Sequence, residues 1–226
     1  MARSYYPAAD PADASWKYPA ARIALFTRAP KLGEVKTRLA ARIGAESALA
    51  LHQAMLRRVF ETAERSGLAG VRLWAASNPG HGVFTALCEA RHIRQQRGGD
   101  LGERMRLAAA AELAEAGVDS VVIIGGDCPA LTASHLDEAL AALAGGVDLV
   151  LGPALDGGYV LIGLRAAEAE LFQDVEWGSG EVLEQTLARA RKLGLRWQLL
   201  APLGDVDTVE DLPSLQELEP PLSFSA

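Results

Sequence analysis

The first candidate for chemistry is an acid, Asp127, which follows a run of four apolar residues and two glycines. The run, residues 121–124, consists of valine and isoleucine and is typical of a strand covered on both faces of a parallel sheet. Pro129 ends the strand because it has no N–H to donate. An acid at the end of a buried strand is a position for chemistry. The alternative is that it only forms a turn or caps the next element.

A second candidate is a basic segment in an otherwise acidic chain. Residues 22–42 carry six basic side chains and one acidic one, and they include glycine and proline. Such a loop after a first strand is suited to holding phosphates through charge and backbone N–H groups, although it lacks the Gly-Lys-Ser/Thr arrangement of a Walker motif. The alternative is a set of solvated surface cations. The candidate phosphate ligands are Arg28, Lys31, Gly33, Lys36, Thr37 and Arg38.

A glycine-rich segment, residues 98–105, holds three glycines and three charges. That composition is costly unless a backbone must fit closely against something. The simplest explanation is a helix start with Asp100 as the N-cap and Glu103 at the third helical position. Helix starts also hold nucleotides and phosphates, so Gly99, Asp100 and Arg104 are candidate nucleotide ligands.

Two further acids follow apolar runs. Asp156 stands before two glycines, a pattern that in isolation favours a simple hairpin turn. Asp207 follows the last apolar run and precedes Thr208 and Asp211, which form a capping-box-like pair at the start of a helix. Both acids thus come after predicted strands, as Asp127 does.

The elements that must position these residues alternate along the chain. Strand-like and helical segments in alternation predict a three-layered α/β fold with a mainly parallel sheet, whose ligands collect beyond the carboxyl ends of the strands. The candidates are therefore expected on one rim, where cations and carboxylates together suit a polyphosphate with magnesium or manganese. Strands are predicted at 23–26, 71–75, 93–96, 121–124, 147–151, 160–163 and 197–200. Helices are predicted at 46–65, 83–89, 100–117, 132–145, 181–193 and after Thr208.

Composition limits the class of protein. The chain has 226 residues, half of them apolar, which suits one substantial core. A net charge of -7 argues against a nucleic-acid or membrane-surface binder. The two cysteines, Cys88 and Cys128, lack disulfide or zinc spacing, and no run is long enough to span a membrane, so a cytoplasmic location is expected. The expected layout is a loose N-terminal arm (1–21), one domain (22–219) and a tail (220–226).

Six segments in order resemble bacterial glycosyltransferase-like proteins of the nucleotide-diphospho-sugar transferase superfamily, some of which are linked to arsenosugar biosynthesis. They are residues 26–39, 98–105, 126–131, 152–159, 177–179 and 205–212. Each is weak alone, but six in the right order are specific. The last segment is also similar to the end of small nucleotidyltransferases, such as molybdenum-cofactor and phospholactate guanylyltransferases, which share the fold.

This resemblance implies a GT-A type fold and roles for the candidate residues. Asp127 and Asp207 would bind magnesium or manganese, with Asp205 the second choice for the second ligand. Lys31, Lys36 and Arg38 would hold the nucleotide phosphates, and Lys36 and Arg38 would thereby assist catalysis. Asp156 would face the acceptor or sugar and could act as a general base.

The function expected first is a metal-dependent glycosyltransferase that uses a nucleotide-sugar donor and a small-molecule acceptor. The alternative is a guanylyltransferase-like nucleotidyltransferase that acts on a small phosphorylated metabolite. Both need the same metal and phosphate contacts, so the sequence separates them poorly. A third alternative is a non-catalytic protein that kept the nucleotide-binding fold.

Overall fold

A computed structural model describes residues 16–224 of the chain. Most of the predicted N-terminal arm, residues 1–15, and the end of the predicted tail lie outside this part. Within it, Lys17 and Tyr18 donate backbone hydrogen bonds to the carbonyls of Gly67 and Leu68. None of the helices in the described part combines the length and hydropathy needed to cross a bilayer.

Seven strands form one sheet in the order β3-β2-β1-β4-β6-β5-β7. The strands are β1 (Ala21–Thr27), β2 (Gly70–Ala75), β3 (Ile93–Gln95), β4 (Ser120–Gly125), β5 (Leu149–Pro153), β6 (Tyr159–Leu164) and β7 (Trp197–Leu199). All pairings are parallel except those of β6, which runs antiparallel to both β4 and β5. The predicted mainly parallel sheet is confirmed.

Helices connect the strands. They are α1 (Thr37–Ile43), α2 (Ala45–Arg65), α3 (Gly82–Leu87), α4 (Leu101–Leu113), α5 (Ala133–Ala144), α6 (Ala169–Phe172) and α7 (Val182–Lys192), with 3-10 helices at Ala90–His92 and Val209–Gln216. The long helix predicted at 46–65 matches α2 within one residue. Thr132 caps α5 as predicted, and its side chain accepts a hydrogen bond from the backbone N–H of His135.

Alternate residues of β1 point into two separate cores, as expected for a strand with period two. Ile23 and Leu25 pack with α2, α3 and α5 on one face of the sheet. Ala24 and Phe26 pack with α4, α6 and α7 on the other face. Both faces of the sheet are therefore covered, and the predicted three layers are confirmed.

A smaller core lies beyond the sheet edge. Leu39 of α1 and Met55 of α2 pack there with Val206 and Leu215, and all four side chains are buried. This cluster fixes the last connecting segment against the helices that follow β1. It therefore positions Asp207, the neighbour of Val206, at the end of the sheet.

Helix α1 lies where the sequence indicated only a loop. It has seven residues and a single buried side chain, Leu39, so it offers little of the apolar periodicity by which a helix is recognised. The short helix α6 was also not predicted. The last predicted helix, which begins after Thr208, exists in 3-10 form with Pro213 inside it.

The contact between α2 and the strand ends gives a stability prediction. Leu56 is fully buried, and its Cδ1 lies 3.5 Å from where a Cβ on Gly126 would stand. Leu56→Ala should lower the free energy of unfolding by about 2–5 kcal/mol, because it leaves a cavity beneath the Asp127 segment. Denaturant unfolding measures the loss. Arg57→Ala, at the exposed neighbouring position, is the control and should stay within about 0.5 kcal/mol of wild type.

Candidate functional site

The candidate residues follow strands that end at the same edge of the sheet. β1, β4, β5 and β7 run in one direction, so their carboxyl ends share an edge. Asp127 comes two residues after β4, and Asp156 lies in the connection from β5 to β6. The segment with Asp207 follows β7. The arrangement is the one that brings ligands to the carboxyl ends of α/β sheets.

The centre of the site is the ammonium group of Lys36. Its Nζ lies 2.6 Å from Asp207 Oδ1 and 3.1 Å from Asp127 Oδ1, and it donates to the carbonyl oxygen of Val206 at 2.7 Å. The lysine side chain is only 4% exposed, while each of the two acidic side chains is 47% exposed. Lys36 therefore brings together two acids that were predicted from separate segments of the chain.

Charge pairing decides the protonation of this cluster. Burial lowers the pKa of Lys36, but Asp127 and Asp207 outweigh it and leave that pKa raised. For Asp127, burial acts to raise the pKa, and it is outweighed by the His52 contact and the charge of Lys36, which hold the pKa well below its usual range. Asp127 is thus ionised and the lysine is charged at neutral pH.

Asp127 has two different oxygens. Oδ1 is buried and has no hydrogen-bond partner in the described part of the chain, although Lys36 and His52 lie beside it. Because the side chain as a whole is 47% exposed, the accessible part of the carboxylate is the Oδ2 side. The inner oxygen therefore lies beside Lys36 and His52, and the outer one is open to solvent.

His52 was not predicted as part of the site. Its Nδ1 lies 3.6 Å from Asp127 Oδ1, and its Nε2 lies 3.3 Å from the carbonyl oxygen of Arg28. The imidazole thus links the loop after β1 to the acid after β4. The sequence did contain one signal for it. His52 lies on the apolar face of α2, between the buried Ala48 and Leu56, and a buried polar residue needs polar partners.

The backbone of Lys36 is unusual. Its φ of 47° and ψ of 46° lie in the left-handed region, which costs a non-glycine residue about 1–2 kcal/mol. Such conformations persist where surrounding contacts hold them, and they concentrate at functional sites. Here the residue stands immediately before α1, and the contacts of its ammonium group offset the strain.

Besides the contacts of Lys36, two hydrogen bonds attach the Asp207 segment to the rest of the site. Val206 donates its N–H to the carbonyl of Asp127 at 3.1 Å, and the Cys128 thiol approaches the Gly204 carbonyl at 3.4 Å. Burial raises the pKa of this thiol to about 12, as expected for a small buried residue that is not a nucleophile. Within the segment, the backbone N–H of Asp207 donates to Asp211 Oδ2 at 3.0 Å.

The predicted pair of Thr208 and Asp211 is present. Asp211 Oδ2 accepts from the backbone N–H of Thr208 at 2.7 Å and from its hydroxyl at 2.8 Å. The same oxygen also holds the N–H of Asp207, so the cap of the 3-10 helix positions the acid beside it. A local capping motif therefore also orients a site residue.

The basic loop lies beside this cluster and is open to solvent. Arg28, Lys31, Gly33, Thr37 and Arg38 are all exposed. Lys31 forms an ion pair with Glu34. Gly33 has a φ of 77°, a conformation that is unfavourable for residues with a side chain. Of the loop residues proposed to hold phosphates, Lys36 is the one whose side chain is buried among the acids.

The glycine-rich segment forms the helix start that its sequence indicated. Asp100 accepts from the backbone N–H of Glu103 at 2.8 Å, and the Glu103 carboxylate accepts from Gly99 at 2.7 Å. Arg104 Nε donates to the carbonyl of Gly98 at 3.2 Å. These contacts form the start of α4, and a nucleotide role for Gly99, Asp100 and Arg104 stays a prediction.

Asp156 lies in the hairpin connection between β5 and β6, as the turn pattern indicated. Its Oδ1 accepts from the N–H of Gly158 at 2.9 Å, and the side chain is exposed. Leu155 donates to the carbonyl of Leu203, which places the hairpin beside the Asp207 segment. Burial and the charge of Asp156 both raise the pKa of Asp205, so these acids share one side of the site.

Asp127 and Asp207 suit a divalent cation of the magnesium type. Within residues 16–224, no group of three or more His, Cys, Asp or Glu side chains is arranged to hold a metal. Magnesium, however, is commonly bound by one or two carboxylates together with substrate phosphates and water. The carboxylates of Asp127 and Asp207, each half-exposed and close to the other, fit that pattern.

Comparison with known proteins places the chain among bacterial relatives. The family described as "Uncharacterized protein conserved in bacteria (DUF2064)" matches residues 55–179, more than half of the chain. The 3-phospho-D-glycerate guanylyltransferase of Phenylobacterium zucineum (strain HLK1) is 35% identical over 134 residues. That match covers 58% of this chain and 61% of the relative, so the chain spans less than two thirds of its length.

Solved structures share the fold. A protein from Desulfovibrio desulfuricans G20, provisionally described as a nucleotide-diphospho-sugar transferase, is 31% identical with a TM-score of 0.77, and the match covers 84% of this chain and 83% of that one. A Mycobacterium tuberculosis H37Rv protein in complex with manganese is 15% identical with a TM-score of 0.55, over 88% and 98% of the two chains. The predicted fold and superfamily resemblance are confirmed.

The hairpin that carries Asp156 gives a prediction about packing. A Cβ on Gly157 would overlap the carbonyl group of Gly180, whereas a Cβ on Gly178 would have open space; both glycines have positive φ, 91° and 86°. Gly178→Ala should therefore lower the free energy of unfolding by only about 1–2 kcal/mol, the conformational cost of a side chain at positive φ. Gly157→Ala should lower the free energy of unfolding by about 1–3 kcal/mol more than that, because its new methyl group overpacks the contact with Gly180.

Denaturant unfolding of both variants gives the difference in free energy. Equal losses would mean that the hairpin does not pack on the segment before α7. Because both changes replace a glycine of positive φ by alanine, the comparison isolates the contact.

Proposed function

This chain belongs to the DUF2064 family of bacterial proteins, and we propose that it is a nucleotidyltransferase that joins a nucleoside monophosphate to a small phosphorylated acceptor. The expected donor is GTP, because guanylyl transfer is the activity in the name of the Phenylobacterium relative. Glycosyl transfer, the function expected first from the sequence, has support only at the level of the superfamily. The alternative from the sequence is thus the better supported one.

One observation carries the proposal. The ammonium nitrogen of Lys36 lies within 3.1 Å of carboxylate oxygens of both Asp127 and Asp207, at the carboxyl edge of the sheet. An exposed basic loop lies beside this cluster. Two neighbouring acids in an acidic protein disfavour a bound nucleotide unless cations accompany it. A metal-bound triphosphate supplies those cations and fits the basic loop as well.

The reaction breaks the bond between the α- and β-phosphates of the donor. A phosphate oxygen of the acceptor attacks the α-phosphorus, pyrophosphate leaves with the bonding electrons, and a new phosphoanhydride forms. Asp127 and Asp207 would hold magnesium or manganese, which when bound neutralises charge on the phosphates. Arg28, Lys36 and Arg38 are the cations of this chain that would stabilise the leaving pyrophosphate.

The remaining candidates would position substrates. A phosphate oxygen needs no base, so the predicted general-base role of Asp156 applies to the glycosyl alternative. In nucleotidyl transfer, its exposed carboxylate suits a hydroxyl group of the acceptor. Lys31, Gly33 and Thr37 would contribute charge and backbone N–H groups to the donor phosphates, and Gly99, Asp100 and Arg104 would contact the nucleotide from the start of α4.

Product analysis separates the two transferase functions. The protein is incubated with manganese, each nucleoside triphosphate and 3-phosphoglycerate, and in parallel with nucleotide sugars and small acceptors. We expect pyrophosphate release and a nucleotidylated acceptor, identified by mass spectrometry. Release of a nucleoside diphosphate from a nucleotide sugar would replace this proposal by glycosyl transfer, which the likeness to the Desulfovibrio structure favours.

Asp127→Asn tests the proposed metal ligand. The change keeps the shape of the side chain but removes its charge, and turnover should fall about a hundredfold or more. Asp148→Asn is the control: this acid precedes β5 at the opposite edge of the sheet and pairs with Arg196. Unchanged turnover in Asp127→Asn would contradict the role of Asp127 as a metal ligand. A non-catalytic protein would show no turnover in the wild type or in either variant.

A further inference from the structure

The ammonium group of Lys36 is already committed to protein acceptors. An ammonium has three N–H donors. Two are used in hydrogen bonds to Val206 O at 2.7 Å and Asp207 Oδ1 at 2.6 Å, and Asp127 Oδ1 lies 3.1 Å from the same nitrogen. With 4% of the side chain exposed, this conformation offers little of the ammonium to a phosphate in the cleft.

The position of this nitrogen also matters for a metal. Nζ stands between Asp127 and Asp207, the two carboxylates that would hold a divalent cation. Two cations next to the same pair of oxygens repel each other, and the repulsion is strong where water is excluded. Lys36 and a metal held by Asp127 and Asp207 would therefore compete for the same anionic groups.

We propose that Lys36 is an internal counter-cation, which holds Asp127 and Asp207 together before the metal arrives and leaves at least one of them when the metal binds. Release would free the ammonium N–H groups of Lys36 to hydrogen-bond the phosphates of the nucleotide substrate. One side chain would thus serve first the acids and then the substrate. The inference rests on the proposed metal-dependent function and names a positioning role within it.

The surroundings of Lys36 permit such a movement. The residue lies in a left-handed backbone conformation at the start of the seven-residue helix α1, just after the exposed segment 31–34. Releasing the ammonium removes the contacts that offset this strain. Asp127 keeps a neighbour when Lys36 leaves, because His52 Nδ1 lies 3.6 Å from its inner oxygen.

Manganese affinity without nucleotide is the first test, measured by the loss of the free-ion signal in electron paramagnetic resonance. Lys36→Met has similar length and no charge, so it should bind Mn²⁺ about tenfold or more tightly than wild type. Its melting temperature without metal should fall, because two carboxylates then face each other unpaired, and Mn²⁺ should restore it. Unchanged or weaker Mn²⁺ affinity would overturn the inference.

Two further variants are controls. Lys36→Arg keeps the charge and should retain the weaker affinity of wild type. Lys17→Met removes a lysine that also pairs with an aspartate, Asp137 at 2.7 Å, but lies before β1, at the amino ends of the strands, and should leave Mn²⁺ affinity unchanged. Tighter binding in Lys17→Met as well would indicate an effect of net charge and would contradict the proposal.

A measurement on the wild-type protein covers the case in which Lys36→Met does not fold. Lysine acetylation followed by mass spectrometry should find Lys36 protected without metal, several-fold more reactive with Mn²⁺, and protected again with Mn²⁺ and GTP. Equal protection with and without Mn²⁺ would overturn the inference. These readouts need no acceptor, so they can fail while nucleotidyl transfer is observed, and they can succeed if the transferred group is a sugar.

Discussion

The placement of one ammonium group between two carboxylates is the interaction on which the site depends. Lys36, Asp127 and Asp207 come from three segments, and none of them would keep its position alone. Two nearby carboxylates repel each other, and a buried lysine is unfavourable without anions. Each charge therefore stabilises the others, and the cluster fixes the relative positions of three loops at the edge of the sheet.

The fold provides the surroundings that this cluster requires. Parallel strands β1, β4, β5 and β7 end at one edge, so acids from distant segments converge there. The buried cluster around Val206 and the hydrogen bond from its N–H to Asp127 bring the last segment to the same place. Packing brings the charges close, and their pairing then offsets the cost of burying them.

Much of this arrangement could be predicted from the sequence, because strand-end acids and apolar runs leave local signals. Asp127, Asp207 and the capping pair near Thr208 were all found in this way. His52 was missed, since a histidine on an apolar helix face has no local pattern that names its partner. The burial of Lys36 was missed for the same reason: a contact across 171 positions of sequence is set by tertiary packing.

The close approach of Gly157 to the backbone of Gly180 has an evolutionary meaning as well as a structural one. Because a Cβ at the first would overlap the backbone of the second, neither segment can be altered freely while the other stays as it is. A lineage that acquires a side chain at position 157 must also reshape the backbone around position 180. The hairpin that carries Asp156 is therefore expected to diverge through paired changes in these two segments.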